Sequence, residues 1–561
     1  MKRNNRRLPD AILLLALVPF VLGQTGSQVA QTRHNLTTTG PGAVKVGGVA
    51  DVCVFCHTPH ASNPIAPLWN REDPGTWYQT YESSTMVAVV GQPTGSSRLC
   101  LSCHDGTIAL TQTWNPNNAS GGQTVYISAG DRGYIGTDLS DDHPISFVYD
   151  TSLATRRGEL VDPSSLPVAL PLDRNNQLQC TTCHDPHDDS FGQFLRMNNS
   201  QSAMCIACHQ IDGWTTASHA TSVASLASAT RDDWDNLMHK TTVAEAACGS
   251  CHRPHTAGGR ERLLRHEAEE NNCLSCHDAS VAQTDLTTLF TSISTHPVQN
   301  YTGIHDPTEN PLTMSQHVEC ADCHNPHVSS TAPATAPSIK PSMVGVSGLS
   351  SSGAFVEQAR YEYEVCYKCH STQNFSAAVV DRVSGTNDIS EEFDPSNPTY
   401  HPVEQIGRNT NVPSLLQPFN TTSMLYCTDC HGSDDAGGAQ GPHGSMWRPL
   451  LVDSYTTTDP TVESPAAYAL CYRCHNRSSI LEDESFPKHH LHIADSNTAC
   501  SVCHDPHGAR SSPDATNLIN FDRDVVTEAA NGQGPEFHDT GSFQGNCTLM
   551  CHGVNHENTT Y

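Results

Sequence analysis

The chain has 561 residues, with 30 lysines and arginines against 59 aspartates and glutamates, a net charge of −29, and 24 cysteines and 32 histidines. This acidity excludes a nucleic-acid partner, which calls for basic patches, and directs charge-docked partners toward basic surfaces. Only 37% of residues are hydrophobic and 6% aromatic, thin for so long a chain, so a bound group must supply part of the apolar surface that folding buries.

Residues 1–23 read as an export signal: Lys2, Arg3, Arg6 and Arg7 charge its start and Ala11 to Leu22 form an apolar run too short to span a membrane comfortably. Small residues precede Gln24, no cysteine stands near that point, and no later apolar run is long enough to cross a bilayer. The expectation is an exported protein, periplasmic or at the outer surface, without a membrane anchor after signal cleavage.

From residue 53 onward one device repeats. Eleven C-x-x-C-H motifs comprise Cys53, Cys56 and His57; Cys100, Cys103 and His104; Cys180, Cys183 and His184; Cys205, Cys208 and His209; Cys248, Cys251 and His252; Cys273, Cys276 and His277; Cys320, Cys323 and His324; Cys366, Cys369 and His370; Cys427, Cys430 and His431; Cys471, Cys474 and His475; and Cys500, Cys503 and His504. A twelfth, Cys547, Cys551 and His552, is a C-x3-C-H. This is the attachment signature of c-type haem: two thiols on one helical turn meet the two vinyl groups, and the next histidine binds the iron. Zinc ribbons and disulfides also use paired cysteines, but neither requires a histidine directly after every pair. Twelve covalent haems are expected.

The motifs alternate. The first, third, fifth, seventh and eleventh continue as x-Pro-His, ending at His60, His187, His255, His327 and His507; the ninth reaches Pro442-His443 after an insertion. Such a tail histidine cannot reach the far face of its own haem. Three residues span at most about 10 Å, whereas ligands on opposite faces need Cα atoms about 12 Å apart. Each odd motif also has a histidine upstream: His34, His143, His239, His296, His401 and His492. Six of each kind supply twelve distal ligands, with the upstream histidine expected on the odd haem and the tail histidine on the even one. His219, His266, His305, His317, His489, His490, His538 and His556 remain as surface histidines, with His317, His489, His490, His538 and His556 as alternates. Internal repetition governs the fold: six two-haem units at 24–135, 136–230, 231–290, 291–385, 386–480 and 481–561.

Within this plan, Glu267 to Cys276 and Tyr361 to His370 suit short helices running into a motif. Thr124 to Val148 suits a hairpin, and 331–354 a loop or hinge. Leu68-Trp69-Asn70-Arg71, Phe194-Leu195-Arg196, Leu263-Leu264-Arg265 and Trp447-Arg448-Pro449-Leu450 recur between the motifs of a unit as local packing, with the arginines as candidate partners for haem propionates.

Through Cys53-Val-Phe-Cys-His-Thr-Pro-His60 and Cys180-Thr-Thr-Cys-His-Asp-Pro-His187 the chain resembles multihaem c-type cytochromes of the doubled C-x-x-C-H class. The likeness covers nearly all of the chain beyond residue 23. It implies an elongated chain of mostly irregular loops, short α-helices and minor β-structure packed on haems with two histidine ligands. It further implies electron carriage in the periplasm or at the outer surface, toward redox proteins or an external acceptor. The C-x3-C-H and the displaced His443 depart from the pattern. Three functions follow: an electron-transfer protein rather than an enzyme; a reductase with one five-coordinate iron, for which the usual motif change such as C-x-x-C-K is missing; and a homopolymer subunit in a conductive filament, with His34 or His556 ligating across subunits.

Overall fold

The computed structural model describes residues 29–115, 124–227, 240–301, 303–307, 309–371, 378–510 and 516–561. The export signal and His239 lie outside them. Two compact bodies result: Met1–Thr76, Pro93–Gly136 and Pro167–Asn198 form one, and Trp77–Gln92, Thr137–Leu166 and Asn199–Tyr561 the other.

Regular structure is sparse because each helix has only to present one attachment turn. Gly95–His104 and Glu362–His370 are the longest described helices, and both end on a motif histidine. Cys180–Cys183, Cys320–Cys323 and Cys500–Cys503 are single turns. These turns are closed locally. The N–H of the motif histidine donates to the carbonyl of the first cysteine, as in His184 to Cys180 at 2.9 Å and His324 to Cys320 at 3.0 Å. The residue before the cysteine donates its N–H to the side chain three positions on: Gln179 to Thr182 Oγ1 at 3.0 Å, Glu319 to Asp322 Oδ2 at 2.8 Å and Tyr426 to Asp429 Oδ2 at 2.8 Å. A side chain thus takes up an N–H that the helix start leaves free.

After five of the six odd motifs the chain folds back. His57 bridges Trp69, His184 bridges Leu195, His252 bridges Leu264, His431 bridges Leu451 and His504 bridges Ile519. At matching places Leu68, Phe194, Leu263, Leu450 and Leu518 have φ between 54° and 60°. That is the left-handed region, which costs a non-glycine residue about 1–3 kcal/mol. Its recurrence at five equivalent positions marks a fixed requirement of the motif.

The apolar core is divided among small clusters. One joins Val46, Val54, Phe55, Leu110 and Ile127; another joins Leu349, Tyr363, Tyr367, Phe393 and Val403. The helices expected before Cys276 and at 361–370 are observed as Glu269–Leu274 and Glu362–His370. The hairpin expected over 124–148 is not: among its described residues only Phe147–Val148 is a strand, because Gly130, Gly133 and Gly136 keep breaking the run into turns. The stretch 331–354 is mostly loop and ends in a two-residue ladder, Gly348–Leu349 against Phe355–Val356. At the C-terminus Glu536–Gly541, Gln544–Cys551 and Val554–Thr560 form an antiparallel meander, with Val526–Thr527 also paired to the middle strand. No helix among the described residues is long and apolar enough to cross a membrane.

Candidate functional site

The left-handed residues explain how the motif histidines are aimed. They turn a carbonyl onto the ring, so that Nδ1–H donates to Gln193 O from His184 at 2.9 Å, to Arg262 O from His252 at 2.8 Å and to Asn517 O from His504 at 3.0 Å. His104 does the same with Gly133 O at 2.6 Å, His324 with Ser342 O at 2.9 Å and His431 with Pro449 O at 3.0 Å. A ring held through Nδ1 leaves Nε2 free for a metal. Burial pushes His209, His370, His431 and His475 down to about 4, keeping them neutral, which is the ligating form.

Nine of these rings face a second histidine across a fixed gap. The pairs are His34 and His104 at 6.2 Å, His57 and His187 at 6.0 Å, His143 and His209 at 6.3 Å, and His219 and His277 at 6.2 Å between centroids. His252 and His327 lie 6.1 Å apart, His296 and His370 6.2 Å, His324 and His443 6.0 Å, His431 and His507 6.1 Å, and His489 and His504 6.3 Å. An iron held by two imidazoles at about 2 Å on each side, with each ring centre about 1.2 Å beyond its nitrogen, requires about 6.4 Å. The residues therefore fit a haem iron between each pair. Burial and, after it, the nearby His401 push His475 down to about 4, so these two rings are neighbours as well.

The pairing inverts the expected wiring. His34, His143 and His296 face the even motif of their own unit, not the odd one. The tails His187, His327, His443 and His507 face the odd motif of the preceding unit, not their own even motif. The exchange has a common cause: the proline carbonyl before each tail histidine receives an upstream ring. His34 Nδ1 donates to Pro186 O at 3.1 Å, His219 to Pro326 O at 3.1 Å, His296 to Pro442 O at 2.8 Å, and His401 to Pro506 O. In the second unit the link is through the backbone, His143 N–H to Pro254 O at 2.8 Å. One Pro-His dipeptide thus positions ligands for two haems of the preceding unit.

Three further assignments change. His219, read as a surface residue, faces His277 in place of the tail His255, whose Nδ1 instead bonds Asp142 Oδ1 at 2.9 Å. His489 rather than His492 faces His504, and His492 lies beside Phe486 and Tyr561. The His60 ring faces no histidine among the described residues, since His34 occupies the place beside His104. The arginines also have other tasks. Arg71 is fully buried and donates to the carbonyls of Ser102 at 2.6 Å, Leu110 at 3.0 Å and Ala109 at 3.1 Å, and Arg196 donates to Thr181 O at 2.6 Å. These two tie loops to attachment turns.

Consecutive attachment turns touch. The sulfur of Cys100 is a neighbour of that of Cys180, Cys205 of Cys248, Cys273 of Cys320, and Cys366 of Cys427. A buried polar side chain before four of the six even motifs makes the joint. Ser97 Oγ accepts from Cys180 N–H at 3.0 Å, Ser202 Oγ from Cys248 N–H at 3.0 Å, Glu269 Oε1 from Ala321 N–H at 2.8 Å, and Glu362 Oε1 from Thr428 N–H at 3.0 Å. Sequence reading missed these residues. Their signal was a polar residue three or four positions before an even cysteine, on the side the helix buries.

The twelfth site is built differently. Cys547 and Cys551 lie on the extended strand Gln544–Cys551, where four residues span about 13 Å against about 5–6 Å for neighbours on a helical turn. His552 and Gly553 have φ of 49° and 76° and make the two-residue hairpin turn, with Cys551 opposite Val554. His552 Nε2 lies 2.9 Å from Asp459 Oδ2 and not against a histidine. In this arrangement the cysteines do not present the haem-binding geometry of the other eleven.

Comparison with known proteins agrees with this chemistry. Residues 174–212 and 240–282 match the doubled CXXCH motif family, each stretch holding one odd and one even motif. Residues 350–516 match the family described as outer membrane cytochrome MtrC/MtrF-like, domains II/IV. The chain is 26% identical over 226 residues to the multiheme cytochrome MtrA of Shewanella baltica, an alignment covering 38% of this chain and 45% of that protein. The match thus spans less than half the length of that relative.

Proposed function

We propose that this chain, a multihaem c-type cytochrome with doubled C-x-x-C-H motifs, is an exported electron carrier that passes electrons along bis-histidine haems at its eleven C-x-x-C-H motifs toward a periplasmic or extracellular acceptor; a twelfth haem, making it a dodecahaem protein, requires the strand holding Cys547 and Cys551 to rearrange. Haem c supplies reversible one-electron chemistry at each iron. The protein's part is to fix two neutral imidazoles per iron, so that no position stays open for substrate, and to set the attachment turns side by side. The thiol contacts support an order of haems that follows the sequence within each body, through six two-haem units with the bounds given above. The carrying observation is the set of nine imidazole pairs at 6.0–6.3 Å. Low-temperature EPR of the oxidised protein, with haem content fixed by intact mass, tests it: low-spin ferric signals alone are expected from the haems of the eleven C-x-x-C-H motifs, and the mass decides whether the C-x3-C-H carries a twelfth. A stoichiometric high-spin signal would instead support a second reading, a reductase with one open iron. His552 beside Asp459 is the observation that favours this reading. The filament reading loses one of its candidate bridging ligands, because His34 is taken within its own chain.

A further inference from the structure

Two histidines assigned to no haem, His305 and His317, converge on one place. His305 Nδ1 lies 3.3 Å from Glu309 Oε1 and 3.5 Å from Asp322 Oδ1, and His317 Nε2 lies 3.4 Å from Glu309 Oε2. One ligand atom from each of the four residues falls within 4.8 Å of every other. Around a tetrahedral ion with bonds of about 2.0–2.1 Å, neighbouring donors are about 3.4 Å apart.

The donors are also unspent. His305 Nδ1, Glu309 Oε1 and Asp322 Oδ1 are buried without a hydrogen-bond partner, as is Glu319 Oε2 at 3.9 Å from His305 Nδ1. Glu319 is 4% and Asp322 2% exposed. A buried group left without a partner costs about 1–3 kcal/mol, and more when charged, so several together in one place call for an occupant. His317 Nδ1 donates to Ser315 O at 2.8 Å, which leaves Nε2 aimed inward as an acceptor. Burial takes His305 down to about 4, so its ring is neutral. The facing groups are the carboxyls of Glu309 and Glu319, whose proton affinity burial raises (Glu319 to about 8), and of Asp322, against Lys368, whose Nζ lies 3.6 Å from Asp322 Oδ1, and Arg262, which is engaged by the carbonyl of His305; a bound cation would hold the carboxyls ionised.

We propose that His305, Glu309, His317 and Asp322 form a binding site for one divalent first-row transition-metal cation, distinct from the haem irons. Two imidazoles with two carboxylates suit zinc, ferrous iron or manganese and not the all-oxygen shell that calcium takes. The ion would pin the loop carrying His305 and His317 to the attachment turn Cys320–Cys323.

The test uses the full haem-loaded protein, dialysed against chelator and then titrated with Zn2+. Elemental analysis should give one retained zinc per chain, and zinc K-edge EXAFS should show a first shell containing two imidazoles. In His305→Gln/His317→Gln the affinity should fall at least 100-fold, while His266→Gln, altering an exposed histidine, leaves it unchanged. An unaltered low-spin haem spectrum in each variant checks that the fold survives. Retention of zinc by the double variant, or an EXAFS shell without imidazole, overturns the proposal.

Discussion

His34 donates its Nδ1–H to the carbonyl of Pro186, 3.1 Å away and 152 positions downstream, while the next residue, His187, faces His57. The tail of the second unit therefore completes both haem sites of the first, one through an imidazole and one through a carbonyl. The fourth, fifth and sixth tails combine an imidazole and a proline carbonyl in the same way through Pro326, Pro442 and Pro506, whereas the third reaches back through the Pro254 carbonyl. These links all run from a later tail to earlier motifs; the last odd motif takes its partner from His489.

This direction predicts which tail histidines matter. His187→Ala should leave one iron five-coordinate and convert one of the low-spin signals to high-spin. His60→Ala should leave every signal low-spin, although both residues end the same x-Pro-His motif. EPR spin quantitation of the two variants checks it; a high-spin iron in His60→Ala would show the direction to be wrong.

The ring planes sort by the same logic. Pairs made with a tail histidine are near parallel: 14° for His57 and His187, 10° for His252 and His327, 23° for His324 and His443, and 28° for His431 and His507. Pairs made with an upstream histidine are crossed: 67° for His34 and His104, 79° for His143 and His209, 75° for His219 and His277, and 52° for His296 and His370. Parallel imidazoles split the iron d orbitals more than crossed ones do. The oxidised protein should therefore give both the rhombic low-spin signal and the large-gmax signal, in comparable amounts. A single class would contradict the ring geometry.

How far the sequence could be read follows from where each contact is made. The eleven attachment turns were legible because a C-x-x-C-H closes on itself within five residues. The histidine partners were not, because nearness along the chain suggested that an upstream ring serves the first motif after it. The fold-back after five of the odd motifs and the docking of even turns on the next odd turns bring the even haem site under the upstream ring instead. His219 was missed because His239 stands nearer to the next odd motif at Cys248. The C-terminal meander was missed because the cysteine pattern at 547–551 outweighed the alternation of a strand.

Arg71 offers a test of what holds the first body together. Its guanidinium sits among backbone carbonyls of the second attachment helix and the loop that follows it. Charged hydrogen bonds of this kind contribute about 1.5–3 kcal/mol each. Their loss is not additive, since the carbonyls can partly regain partners. Arg71→Met should therefore destabilise the fold by about 3 kcal/mol, measured by denaturant unfolding of the haem-loaded protein. Arg98→Met, which removes an exposed pair with Asp73, should cost under about 1 kcal/mol.

A carboxylate behind one ligand gives a handle on potential. His507 faces His431, and its Nδ1 bonds Glu392 Oε2 at 2.9 Å. Against the downward pull of burial, this bond and the charge of Glu392 raise the affinity of His507 for its proton. The same electron donation favours the ferric over the ferrous state when the ring binds iron. Glu392→Gln keeps a hydrogen-bond acceptor but removes the charge, so the sign is upward. Such partners behind a ligand change metal affinity about tenfold at the low end, and a tenfold change is about 59 mV for one electron. One haem should rise by about 60 mV in a spectroelectrochemical titration with its low-spin signal retained. Glu391→Gln, at the exposed neighbouring carboxylate paired with Arg510, should leave the profile in place. A profile equally unmoved in Glu392→Gln would mean that the carboxylate only positions the ring.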